Sequence, residues 1–159
     1  MARLKNKYAG NGFFGVGILN NANDFNVGTL WRSAYVLGAS FLFTVIRKYE
    51  PQGSDVTHAW TKVPLYHYGS VGDLKAHLPH STQLIGVEMA AGALPLARFE
   101  HPLRAVYLLG NEKRGLDEHH LEHCAKVVQL PGTFSLNVAV AGSIVMYDRV
   151  SKMETAPRS

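Results

Sequence analysis

A single cysteine, Cys124, is the only thiol in 159 residues, so no internal disulfide framework can hold this chain together. No apolar run is long enough to cross a bilayer, and the opening stretch MARLKNKYAG lacks the apolar core of a secretory signal. These absences predict a soluble cytoplasmic protein. There is no internal repeat or low-complexity linker, so one domain is expected over residues 1–159, with a basic segment at 1–12 and a flexible tail at 151–159. Acidic residues are also scarce. Twelve Asp and Glu against 16 Lys and Arg leave a formal charge of +4, a weak tilt towards an anionic partner. With 47% of its residues apolar, the chain can bury a core of its own.

Compact apolar runs alternate with helix-like segments. Strands are expected at FFGVGIL (13–19), FLFTVI (41–46), QLIGVEM (83–89), AVYLLG (105–110) and KVVQL (126–130), with a short one at VPLYHY (63–68). Helices fit 27–38, 71–78, 117–123 and 136–150. Near-continuous apolar strands separated by helices predict an α/β fold, a parallel sheet covered by helices on both faces. The polar stretch RKYEPQGSDVTHAW (47–60) reads as an exposed loop, and the tail after Arg149 as frayed. In open parallel sheets, ligands sit beyond the carboxyl ends of the strands. Three loops at those ends therefore need close reading.

The first feeds NDFNVGTLWRSAYVLGAS (23–40). Asn20, Asn21, Asn23 and Asn26 suit turns and caps, and Asn26 is expected to cap the helix. Gly28 costs that helix about 1 kcal/mol relative to alanine. It shares a face with Arg32, one turn on, while Leu30, Ala34 and Leu37 form the neighbouring apolar stripe. Bare backbone beside a guanidinium lets a substrate come close; an Arg32 that snorkels or pairs with a carboxylate is an equal alternative. In the second loop, GNEKRGLDE (110–118), Gly110 and Gly115 permit a tight path, Glu112 supplies a carboxylate, and Asp117 can cap the next helix. Such a loop could hold a polar cofactor edge or be an ordinary turn with a solvated tip. The third is LPGTFSLNVAVAGSIVMYDR (130–149). Pro131 and Gly132 end a strand and Ser135 can cap a helix that stays apolar or small on nearly every side as far as Asp148. That helix is expected to be buried all round, against its own chain or a second subunit. Asn137 at its start needs a partner from a ligand, the backbone or local capping.

Two further patterns lose on context. GNGFFG (10–15) has the spacing of a dinucleotide fingerprint, but its glycines enter a strand instead of following one and opening a helix. His119 and His123 are four apart beside His120 and Cys124, yet no third ligand stands at convincing spacing, so no metal is expected and a polar helix face is the better account.

In order and spacing, NVGTLWRSA, LLGNEKRGL and LPGTFSLNVAVAGSIVMYD resemble motifs 1, 2 and 3 of the SpoU or TrmH-type RNA methyltransferases of the SPOUT superfamily, across residues 13–150. The resemblance implies a parallel α/β sheet with a C-terminal deep trefoil knot, S-adenosylmethionine bound in the knot, a homodimer, and methyl transfer to a ribose 2′-hydroxyl of tRNA or rRNA. It makes Arg32 the catalytic arginine, acting beside the cofactor of the partner subunit, with Asn26, Glu112, Ser135 and Asn137 completing the catalytic set. The implied cofactor site is Leu109, Gly110, Asn111, Glu112, Leu130, Ser135, Leu136 and Asn137, and Asn26 and Gly28 belong to the substrate side. Many members carry a longer connection before SLN, so a trimmed cofactor loop is expected here. A guanidinium stays protonated in nearly every protein setting, so Arg32 is read as orienting the ribose-phosphate and stabilising alkoxide charge instead of acting as a base.

For the RNA, Arg3, Lys5, Lys7 and Tyr8, then Arg47, Lys48 and Tyr49, and finally Lys113 with Arg114 are candidates to meet phosphates and stack on bases. With no length left for a separate RNA-binding domain, target choice is expected to fall to the dimer surface, a helper protein, or both. Two other readings share the fold. A silent RNA-binding or assembly factor would show an eroded third motif or a lost Arg32, and neither is seen. A base methyltransferase is disfavoured by the arginine of motif 1.

Overall fold

The computed structural model describes residues 12–50 and 62–155, so the candidates Arg3, Lys5, Lys7 and Tyr8 and most of the 47–60 loop lie outside it. In chain order the elements are β1 (Phe13–Leu19), α1 (Asp24–Leu37), β2 (Phe41–Val45), β3 (Leu65–Tyr68), α2 (Val71–Ala76), β4 (Gln83–Val87), β5 (Leu94–Pro95), β6 (Arg104–Gly110), α3 (Glu118–Leu121), β7 (Lys126–Gln129) and α4 (Val138–Thr155), with a 3-10 turn at Leu96–Arg98. The seven strands form one sheet in the order β3-β2-β1-β6-β4-β7-β5, and all their pairings are parallel. β6 lies between β1 and β4, which is why its AVYLL run is buried on both faces.

Alternation along the strands sorts the core into two layers. Val16, Ile18, Ile85, Tyr107 and Leu109 face α1 and α4, meeting Val27, Leu30 and Ala34 of the former and Val145 and Met146 of the latter. On the other face, Phe43, Val45, Leu84, Val106 and Leu108 meet Val71 and Leu74 of α2, with Leu121 of α3 packed against them. The expected parallel sheet with helices on both faces is therefore what forms. Among the described residues no helix is long and apolar enough to cross a membrane.

Several expectations are corrected at the ends of elements. The cap of α1 is Asn23, whose side chain accepts from the Phe25 N–H at 2.9 Å, so the helix starts three residues early and Asn26 falls inside its first turn. Of the two residues read as able to cap α4, Asn137 does so and Ser135 does not, the Asn137 Oδ1 accepting from the N–H groups of Ala139 (2.9 Å) and Val140 (3.2 Å). The chain's own residues do not bury α4 all round: Val140, Ile144 and Tyr147 form an exposed stripe, so burial of that side against a second subunit remains an expectation. It also continues past Arg149 to Thr155, where fraying was expected, because Lys152 bonds the carbonyls of Leu96 (2.6 Å) and Phe99 (2.9 Å). The two-residue β5 was not foreseen, since ALPLARFE has no strand periodicity of its own.

The amino ends of the strands hold a buried polar chain that fixes α4. Arg149 is fully buried, donating to the carbonyls of Pro102 (2.6 Å) and Leu103 (3.0 Å) and to the Tyr107 hydroxyl (3.1 Å), with its guanidinium 5.0 Å from the Phe14 ring centre. The Tyr107 hydroxyl also lies 2.6 Å from His101 Nδ1. His101 Nε2–H then donates to Asp148 at 2.7 Å, which also pairs with Lys152 at 2.8 Å. With Tyr107 Oη donating to Nδ1 and Nε2–H donating to Asp148, a neutral imidazole satisfies both contacts.

Burial lowers the His101 pKa, outweighing the Asp148 interactions that raise it, while Arg149 and Lys152 lower it further. Burial likewise pushes the Tyr107 phenol up to about 12. The unfolded imidazole titrates near the ordinary 6.5, so below that pH the unfolded chain takes up protons that the fold refuses. Stability contributed by His101 is thus present above 6.5 and is lost as pH falls through the lowered folded value. Urea titrations at pH about 7.5 and about 5.5 should show a lower unfolding free energy at the acid value. His101→Gln should flatten that dependence without abolishing it, because His67, lowered by burial and by Lys48, contributes with the same sign.

Candidate active site

The carboxyl ends of β4, β6 and β7 border a cavity of about 240 Å³. Leu109, Gly110, Asn111, Glu112, Leu130, Ser135 and Leu136 all line it, and so do Lys113 and Arg114. The second and third loops are thus brought together at the place where open parallel sheets bind ligands. Gly110 has to be glycine because a Cβ there would run into the Gly115 backbone. Asn111 holds the turn closed: its Oδ1 accepts from the N–H groups of Lys113 (3.0 Å) and Arg114 (2.8 Å), and its Nδ2 donates to the Asn20 carbonyl (3.0 Å).

Glu88, passed over in the sequence, also lines the cavity. Its Oε2 accepts from the Leu116 N–H at 2.7 Å and its Oε1 from the Met89 N–H at 3.0 Å, pinning the 110–116 turn to the end of β4. The strand was expected to run to Met89, which hid this position. It stops at Val87, so Glu88 stands on the rim. Phe134 is a second omission on the same wall.

Asn26 and Asn137 complete the site from outside the cavity. Glu112 Oε1 accepts from Asn26 Nδ2 (3.1 Å) and from Asn137 Nδ2 (2.7 Å), and Asn137 Nδ2 also reaches Asn26 Oδ1 (3.1 Å). Three motifs far apart in sequence therefore share one hydrogen-bonded cluster. The partner that Asn137 was expected to need is Glu112 with Asn26, and its own helix end takes the remaining oxygen. Asn26, released from capping by Asn23, is buried in the process.

Gly28 and Arg32 are not among the cavity's lining residues. A Cβ at Gly28 would meet nothing within 4 Å, and Arg32 is exposed with no hydrogen bond or ion pair among the described residues. Phe25, Thr29, Arg32 and Val36 recur at helical spacing on the open face of α1. Beside them is a groove formed by Thr29, Ala139, Val140, Ser143, Ile144 and Tyr147. Of the cations after β2, Arg47 donates to the Asn21 carbonyl at 2.8 Å and lies 3.7 Å from Asp24, bracing the asparagine-rich loop, while Lys48 is exposed. Tyr49 packs edge-on to Trp31 at 5.8 Å and is not a free stacking surface.

An open parallel sheet with a cavity at its carboxyl ends, walled by a glycine-bearing turn and the entry to a small-residue helix, defines an α/β ligand-binding protein. Residues 16–147 match the SpoU rRNA Methylase family, and the chain belongs to it. Over 68 residues, 41% of this chain and 4% of the other, it is 34% identical to the tRNA (guanosine(18)-2'-O)-methyltransferase TARBP1 of Mus musculus. The solved SpoU methyltransferase AviRb from Streptomyces viridochromogenes is 25% identical with a TM-score of 0.78, over 90% of this chain and 60% of that one. AviRb is also known in complex with the cofactor AdoMet (24% identity, TM-score 0.79, 91% and 59% covered). A structure described for the 2-OH methylation of C/U34 on tRNA is 23% identical, with a TM-score of 0.76 over 92% of this chain and 99% of that one. The chain thus spans a small part of the mouse relative and about three fifths of AviRb.

Asn26→Asp would set a carboxylate against Glu112 and remove a donor. Denaturant titration should show a loss of about 1–3 kcal/mol at neutral pH. Gly28→Ala has open space for its methyl group, so the single chain should gain about 0.4–1 kcal/mol in the same measurement. A destabilised Gly28→Ala protein would mean that another surface is already seated on that patch.

Proposed function

We propose that this protein transfers a methyl group from S-adenosylmethionine to a ribose 2′-hydroxyl of tRNA or rRNA, and that it works as a homodimer. The observation that carries the reading is the Asn26–Glu112–Asn137 cluster, which joins one residue from each of three motifs at the edge of the cavity. The names of the mouse relative and of the tRNA 2-OH methylation structure support ribose as the target, and the AdoMet complex of AviRb supports the cofactor.

The residues present fit that cofactor. Leu109, Leu130 and Leu136 offer apolar walls for a flat base, the 110–115 turn and the exposed 131–137 segment offer backbone polar groups, and Glu88 and Glu112 set carboxylates near a cationic ligand. When bound, S-adenosylmethionine supplies a methyl group already activated on its sulfonium. What remains for the chain is alignment of the acceptor, exclusion of water and stabilisation of charge. Arg32, protonated, orients the ribose-phosphate and stabilises negative charge developing on the 2′-oxygen.

Arg32 does not wall the cavity of its own chain, and the same face leaves Phe25, Val36, Val140, Ile144 and Tyr147 in solvent. A second copy seated there covers this apolar surface and brings an Arg32 to the cavity. The knotted C-terminal path belongs to the same proposal. It is supported by the sheet order, in which the chain leaves β7 beyond β4 and returns through 130–137 to an α4 that lies against α1.

Radiolabelled methyl transfer to unfractionated tRNA and rRNA lacking the mark, followed by alkaline hydrolysis, tests this directly. Wild type should give label in alkali-resistant dinucleotides, and Arg32→Ala should lower the rate about 100-fold or more. Arg32→Lys should stay far below wild type, since a point charge does not replace the planar fork. Alkali-labile products would exclude ribose as the acceptor, and full activity in the lysine variant would exclude the bidentate role.

A further inference from the structure

Phe134 is the most exposed large apolar side chain among the described residues, at 86%, in a segment otherwise made of Pro131, Gly132, Thr133 and Ser135. Among the described residues no aromatic or cationic group packs on its ring. It nevertheless lines the cavity, where Met89 and Leu136 are also half exposed and where Lys113 and Arg114 stand on the neighbouring turn with both side chains in solvent. An aromatic face left this open is available to a partner that arrives from solvent. Phe134 lines the cavity and not the apolar groove between α1 and α4.

An aromatic face beside two cations matches the chemistry of a nucleotide in single-stranded RNA, which offers a flat base and flanking phosphates. We propose that Phe134 is a stacking platform for a base at or next to the target nucleotide, with Lys113 and Arg114 taking the adjoining phosphates, so that this residue governs acceptance of RNA and not of cofactor. The inference rests on the proposed function and adds an RNA-contacting residue to it. Stacking holds any base by its π face, so Phe134 contributes affinity and orientation without reading sequence.

The test uses the full chain as purified. In Phe134→Trp, a fluorophore replaces the ring at an exposed position, and wild type with its own two tryptophans provides the background. Unfractionated tRNA and rRNA lacking the mark should quench the added emission, while S-adenosylhomocysteine alone should not. Phe134→Leu should raise KM for RNA roughly 10-fold with an unchanged Kd for S-adenosylhomocysteine, and Phe134→Tyr should restore the wild-type KM. Quenching by S-adenosylhomocysteine would assign the ring to the cofactor wall, and a smaller species of Phe134→Leu on size exclusion would assign it to a subunit contact. Either result overturns the inference. Unaltered RNA kinetics in Phe134→Leu would overturn it while leaving the methyltransferase reading intact, whereas a wild type that binds cofactor and no RNA would remove both.

Discussion

One carboxylate oxygen organises the candidate site. Glu112 Oε1 accepts from Asn26 and from Asn137, and through these bonds the first helix, the turn after β6 and the last helix are held to one another. Charge-assisted hydrogen bonds of this kind are roughly twice as strong as neutral ones. They can converge only because the backbone around each asparagine has been satisfied in another way. Asn23 caps α1 and leaves the Asn26 side chain free, and Asn137 spends its oxygen on α4 while its amide group points at Glu112. Cap and site are two uses of the same side chain.

The sheet was legible because its signal is cumulative. Five near-continuous apolar runs, each flanked by turn chemistry, admit few arrangements other than a parallel sheet buried on both faces, and the observed strands fall on those runs to within two residues. What the sequence could not carry is the order in which strands lie side by side. β6 enters between β1 and β4, a long-range pairing to which neither local periodicity nor propensity responds. β5 escaped for the opposite reason, since two residues are too short to show any period.

At the site, residue types were easier to pick out than their roles. Asn26, Glu112 and Asn137 could each be singled out as polar groups at strand or helix ends, but capping was assigned to the wrong asparagine in the first loop and left open between Ser135 and Asn137 in the third. Several cap-forming residues in succession make the choice degenerate. ILNNANDFN holds four asparagines, and only the hydrogen bond from Phe25 to Asn23 distinguishes among them. Glu88 was missed because a strand continued to Met89 would have pointed its carboxylate out of a sheet instead of across a turn. The exposed stripe on α4 has a physical reason too. Apolar periodicity states that a face must be covered, without stating that the covering belongs to the same chain.

The two ends of α4 do opposite work, and this ties the buried anchor to the open site. From Val138 to Arg149 the helix spans about 17 Å at the usual rise per residue. Its far end is fixed among the amino ends of the strands by a fully buried arginine and the Tyr107–His101–Asp148 chain, where any slippage would strand a charge away from water. Its near end begins at Asn137, with the six preceding residues, 131–136, exposed. A helix is stiff along its axis, so the depth at which Asn137 meets Glu112 is set by where Arg149 is seated and not by the loop between Pro131 and Leu136. The exposed loop can therefore differ in path without displacing the Asn137 end of the three-residue cluster. Rigidity at the buried end thus permits exposure at the other, and a loop as bare as 131–137 can carry Phe134 in solvent without loosening the site beside it.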